Sequence, residues 1–122
     1  MKPETAKRLH DAWEASQEIM SFVQGRSLDD YLVARLLRLS IERLLGIVGE
    51  ALNGAVRTDS SVPDSISDLR RFVDVRNRII HAYDSVDGEI VWSIVARYVP
   101  RLIAEIDVLL ADVHQTPAPA IG

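Results

Sequence analysis

Between Leu32 and Leu52 the chain places Val33, Leu36, Leu37, Leu39, Ile41, Leu44, Leu45, Ile47 and Val48 at helical spacing, with no proline among them. The set is too wide for one helical face, so it predicts a long helix covered on two sides. Such a helix is stable only inside a bundle, because one neighbour cannot cover it. Ser27 opens it, with Asp29 and Asp30 in the first turn where the helix dipole favours anions. Gly54 predicts its stop.

The neighbours are legible too. Leu9, Ala12, Trp13, Ser16, Ile19, Met20 and Val23 step by three and four, and Gly25 closes that first helix. After turn formers at Thr58, Asp59, Ser60, Ser61 and Pro63, Ser65 and Asp68 resemble a capping box for a third helix through Leu69, Phe72, Val75 and Ile79, ending near His81 to Asp84. A fourth runs from about Glu89 to Val113, with Pro100 predicting a kink or a break into two pieces. No useful period-2 alternation occurs. The expected fold is therefore all-α, an up-down four-helix bundle over residues 1–114, with residues 115–122 a disordered tail.

The chain has no cysteine, which removes disulfides and thiolate metal sites. No apolar window is long enough to span a membrane, and the first residues lead into a charged amphipathic stretch, so a cytoplasmic protein is expected. The net charge of −4 argues against coating a polyanion. Yet residues 65–83 carry Arg70, Arg71, Arg76 and Arg78 against Asp68 and Asp74, a local surplus of two positives. That suits an engagement of a few phosphates.

Within this basic segment lies Arg76-Asn77-Arg78-Ile79-Ile80-His81-Ala82-Tyr83. Arg grips phosphate with a planar fork, and His moves protons near neutral pH. On RNA, a His at position 81 could take the proton of the 2′-hydroxyl or give one to the leaving 5′-oxygen, while Arg76 stabilises charge at phosphorus. No metal is needed, and the isolated His10, His81 and His114 form no ligand cluster. On an ideal helix, however, Arg76 and His81 are about 140° apart. Either the helix distorts or ends before His81, or a second copy completes the site across a two-fold interface. The same residues also admit a structural reading, with Arg76 as a surface ion pair and His81 as a C-terminal cap. Arg78 and Arg71 are candidate RNA contacts, Trp13 and Trp92 core or interface anchors. Glu50, in an apolar run, calls for a partner, for which an Arg of the third helix qualifies.

Arg76-Asn77-x-x-x-His81-x-Tyr83 resembles the signature of HepT-like proteins, the minimal HEPN-domain toxins of prokaryotic toxin–antitoxin pairs. Ile47-Val48-Gly49-Glu50-Ala51 resembles the family's second helix, and Val91-Trp92-x-x-Val95 with Val99-Pro100-x-Leu102 its last one. A Trp that many relatives carry before the Arg-Asn pair is replaced here by Leu69 and Phe72. The resemblance implies a HEPN-type bundle that dimerises with its motifs facing. It implies a metal-independent endoribonuclease with Arg76 and His81 as catalytic residues, Asn77 and Glu50 in support, no cofactor, and an RNA substrate such as mRNA or tRNA. It further implies a type VII-like system, in which an MntA-like minimal nucleotidyltransferase antitoxin transfers AMP to Tyr83. Two other roles fit the sequence: a non-catalytic helical partner that binds and positions a nucleotidyltransferase, and a plain dimerisation module.

Overall fold

A computed structural model describes residues 1–82 and 86–114. Its helices are α1 (Pro3–Val23), α2 (Leu28–Val33), α3 (Arg35–Thr58), α4 (Leu69–His81), α5 (Gly88–Arg97), α6 (Val99–Leu109) and α7 (Ala111–His114), with a 3-10 turn at Val62–Asp64. No strand occurs among the described residues. These form four rods in up-down order, two of them broken. The central rod is α3, packed on α1 along one side and on α4 along another, while α6 lies against α1. Thr5 at the start of α1 shares a 2.6 Å hydrogen bond with Thr58 at the end of α3, as antiparallel neighbours must.

The core is the meeting of these stripes. Leu9, Ile19, Ile41, Leu45, Val48, Leu52, Phe72, Leu102 and Ile106 are completely buried. Each such side chain contributes about 1.5–3 kcal/mol relative to exposure. Trp13 and Trp92 pack at the core's margin, and Trp92 lies 5.5 Å from the ring of buried Tyr31. Burial pushes the Tyr31 phenol well above its ordinary pKa, so it stays neutral.

The expected single helix from Ser27 to Gly54 is two helices and ends later. The chain breaks at Ala34, where φ is −97° and ψ is 88°. No glycine or proline marks that point. Packing decides it: α2 turns to bury Tyr31 beside α5, whereas α3 serves α1 and α4. The break leaves Val33 at 85% and Leu36 at 79% exposure, so the apolar run is not covered throughout. Gly54 does not stop α3. A Cβ there would come within 3.0–3.3 Å of the Arg8 side chain, so the glycine serves the close approach of α1, and α3 continues to Thr58.

At the start of α2, Ser27 and Asp30 form a reciprocal capping box. Ser27→Ala is expected to lower stability by about 1 kcal/mol, read as a shift of the urea midpoint at unchanged m; an unmoved midpoint would deny the cap any weight. The hydrogen bonds from Ser27 hold the Asp30 carboxyl below its ordinary pKa. Its contribution is thus present above the unfolded value and fades as pH falls through the lowered one.

The capping box expected at Ser65 and Asp68 is absent. Asp68 is the N-cap of α4 without a side-chain cap bond. Its buried carboxylate is committed to Arg101 of α6, which donates from Nε at 2.8 Å and Nη2 at 2.6 Å. Beside it, the Ser67 backbone N–H and hydroxyl donate to Glu105. Ionic partners on α6 have recruited the groups that the local pattern assigned to the cap. The break near Pro100 is present: α5 gives way to α6 at Tyr98, with Pro100 in the first turn of α6, where its missing N–H costs nothing.

Candidate ribonuclease site

The site is set by how closely α3 and α4 approach. A Cβ at Gly49 would lie 2.4 Å from the Arg76 Cβ and 2.8 Å from the Phe72 carbonyl oxygen. Only glycine lets the helices cross there. The crossing places Arg76 beside the next residue of α3: Arg76 Nη2 donates to Glu50 Oε2 at 2.8 Å. Glu50 is also 3.5 Å from Arg57 on its own helix. Arg76 Nη1 donates to Asn77 Oδ1 at 3.1 Å. Glu50 and Asn77 thus fix the Arg76 guanidinium from two directions, and its side chain is 27% exposed.

His81 is the last residue of α4 and is exposed. Because α4 is helical through His81, neither distortion nor an early end brings it to Arg76. Five residues separate the two, about 7.5 Å along the axis and about 140° around it. Arg76 faces α3. His81 continues instead the stripe of Arg70, Asp74 and Arg78, stepping by four, four and three. Within one chain the two motif residues face different sides.

Two grooves flank α4. One, of about 560 Å³, lies between α1, α3 and α4, with Arg76, Ile79 and Ile80 on one wall. Its rim is acidic, with Asp11, Glu14 and Glu18 from α1 and Glu42 and Glu50 from α3 against Arg8, Arg43 and Arg76. Burial holds the Glu42 carboxyl above its ordinary pKa. The other, of about 440 Å³, lies between α4 and α5 and is lined by Arg70, Arg71, Asp74 and Arg78 over Ile90 and Ile94. The Arg71 guanidinium lies 4.1 Å from the centre of the Tyr98 ring.

Tyr83 lies outside the described residues, as does the tail 115–122. The described part of α4 ends at His81, and Ala82 is extended, with ψ at 121°. His10 is paired with Glu14 at 3.1 Å and stacked on Trp13, away from the motif. Among the described residues no three His, Cys, Asp or Glu side chains are grouped as metal ligands would be, and no helix is long and apolar enough to cross a membrane. Two features escaped the sequence reading: the steric role of Gly49 and the seat of Arg71 on Tyr98. A glycine next to an acid inside an apolar helical run was the available signal for the first.

A family model described as "Ribonuclease HepT-like" matches residues 13–109. A Methanocaldococcus jannaschii protein named "Putative RNase" is 26% identical over 110 residues, covering 87% of each chain. A second of that name from the same organism is 27% identical over 105 residues, 83% of this chain and 92% of its own. A Thermococcus cleftensis protein named "Probable ribonuclease HepT" is 28% identical over 108 residues, covering 84% and 92%. No solved structure gives a significant match.

Proposed function

The chain belongs to the HepT-like family of HEPN ribonucleases, and on that premise we propose that it is a toxin endoribonuclease whose site is completed by a second copy. The carrying observation is that α4 stays helical through His81, so Arg76 and His81 of one chain face different sides. A two-fold pairing brings one copy's Arg76 towards its partner copy's His81 in a shared cleft. Exposed Val33, Leu36, Leu39 and Ile80 supply apolar surface for such a pairing.

In the cleft a neutral His81 accepts the 2′-hydroxyl proton as the 2′-oxygen attacks phosphorus. The imidazolium so formed donates to the departing 5′-oxygen, leaving a 2′,3′-cyclic phosphate and a 5′-hydroxyl. Arg76, oriented by Glu50 and Asn77, stabilises the added charge on the phosphoryl oxygens. The RNA supplies the nucleophile, so the reaction proceeds without a metal.

The control we propose is AMPylation of Tyr83 by a minimal nucleotidyltransferase antitoxin. The phenolic oxygen attacks the α-phosphorus of ATP and pyrophosphate leaves. The AMP adds a bulky anion two residues past His81, where it repels incoming RNA phosphate. A second reading is favoured by one observation: Glu50 already neutralises Arg76. On that reading the chain is a non-catalytic partner that positions the nucleotidyltransferase.

One experiment separates them. The protein is incubated with total RNA in EDTA, with and without a minimal nucleotidyltransferase plus ATP, and its intact mass is measured. Cleavage that survives EDTA, stops when mass rises by AMP units, and resists arrest in Tyr83→Phe is the expected result. Binding of the transferase without any RNA cleavage supports the second reading, and loss of cleavage in EDTA overturns the metal-free mechanism.

A further inference from the structure

The two grooves beside α4 differ in charge, and the difference assigns a path for RNA. In the groove between α1, α3 and α4, five carboxylates face three arginines. That balance disfavours a run of backbone phosphates along the groove, whatever single phosphate Arg76 engages at its edge. In the α4–α5 groove, Arg70, Arg71 and Arg78 face Asp74, while the nearby Asp68 is neutralised by Arg101. None of those three arginines is ion-paired among the described residues. The Arg71 guanidinium carbon lies 4.1 Å from the centre of the Tyr98 ring, a cation–π contact that seats the side chain beside the groove. Ile90 and Ile94 form an apolar floor. The stripe Arg70–Asp74–Arg78 runs on to His81.

We propose that the α4–α5 groove is the track on which single-stranded RNA approaches His81. Arg71 and Arg78 take the phosphates flanking the scissile one, and a base lies on the apolar floor. The proposal rests on the ribonuclease reading and names the substrate subsite. A single strand suits the groove because arginine planes and an apolar floor bind backbone and unpaired bases without reading a duplex face.

The test uses the full chain, a fluorescent single-stranded RNA of mixed sequence and a matching duplex. Affinity is measured by anisotropy from 0.05 to about 0.5 M salt, a range in which each single-strand phosphate contact contributes about −0.7 to the log–log slope. Arg78→Ala and Arg71→Ala are each expected to flatten the slope by about 0.7 and to weaken binding about fivefold near 0.1 M salt. The cleavage KM rises accordingly while kcat holds. Arg71→Lys keeps the charge but replaces the planar guanidinium beside Tyr98 with a point charge, so it recovers the slope but only part of the affinity. Lys7→Ala, a cation removed from α1, changes neither quantity. Melting curves accompany each variant.

An unchanged slope in the Arg71→Ala/Arg78→Ala double variant overturns the track while leaving the ribonuclease reading intact, as does a slope that falls only in Arg43→Ala, across α4. A parent that prefers the duplex or binds no single strand overturns it too. If the parent cuts no RNA yet the double variant loses its slope, the track stands and the ribonuclease reading falls.

Discussion

His81→Ala is expected to cut RNA about 10²–10⁴-fold more slowly than the parent, with its melting temperature unmoved. The rate loss is that of a proton-transfer group. The unmoved melt follows from position: His81 is exposed at the last turn of α4, where a surface substitution changes stability by no more than about 0.5 kcal/mol. Arg76→Ala is expected to lose about 10²–10³-fold, the cost of removing one charge-stabilising donor. Its ion pair with the half-exposed Glu50 contributes at most about 1 kcal/mol to folding. The proposed dimer adds a sharper result. If the two residues act across the interface, mixing the inactive Arg76→Ala and His81→Ala proteins restores one intact site per heterodimer, so activity returns to roughly a quarter of the parent's under random pairing of equal amounts. Complementation absent despite subunit exchange would place both residues in one chain's site, against the helical geometry.

Gly49→Ala carries the second large effect, on fold and site together. Its methyl would meet the Arg76 Cβ at 2.4 Å and the Phe72 carbonyl at 2.8 Å, both fixed parts of a buried crossing. No flexible side-chain end is there to yield, so α3 and α4 must separate. Overpacking of this kind costs about 1–3 kcal/mol. For a domain of this size each kcal/mol lowers the melting temperature by several degrees. The separation also draws Arg76 away from Glu50, so cleavage is expected to fall even at temperatures where the variant is fully folded. A melt and a single-turnover rate at low temperature read the two effects separately. Parental values in both would mean that the crossing is looser than its geometry. Gly46→Ala is the natural control, since a Cβ there meets nothing within 4 Å.

The bundle was legible because its evidence is periodic: the stripes of α1 and α3 face each other where the spacing put them, and Pro100 marked the break between α5 and α6. Glu50 announced itself as a carboxylate in an apolar run, and Arg76 is beside it. What could not be read is what distant residues decide. Nothing local breaks the chain at Ala34; the burial of Tyr31 against α5 does. The local pattern at Ser65 and Asp68 spelled a cap, but Arg101, thirty-odd residues later, outbids a backbone N–H for that carboxylate. The same limit applies to Arg76 and His81. Their spacing shows that they diverge on a helix; the proposed pairing that reunites them leaves no local mark in the sequence.

The double tie of Ser67 and Asp68 to Glu105 and Arg101 has a mechanical consequence. It makes α4 a beam held at its first turn by α6 and at its middle by the α3 crossing, with His81 at the far end. Thermal fraying of such a beam starts at the unclamped tip, and free energies of local opening fall along its length. His81 therefore rides on the compliant end, and Arg76 on the stiff middle, where the α3 crossing pins it. The end that carries His81 can thus shift with little disturbance of the Gly49 crossing that seats Arg76.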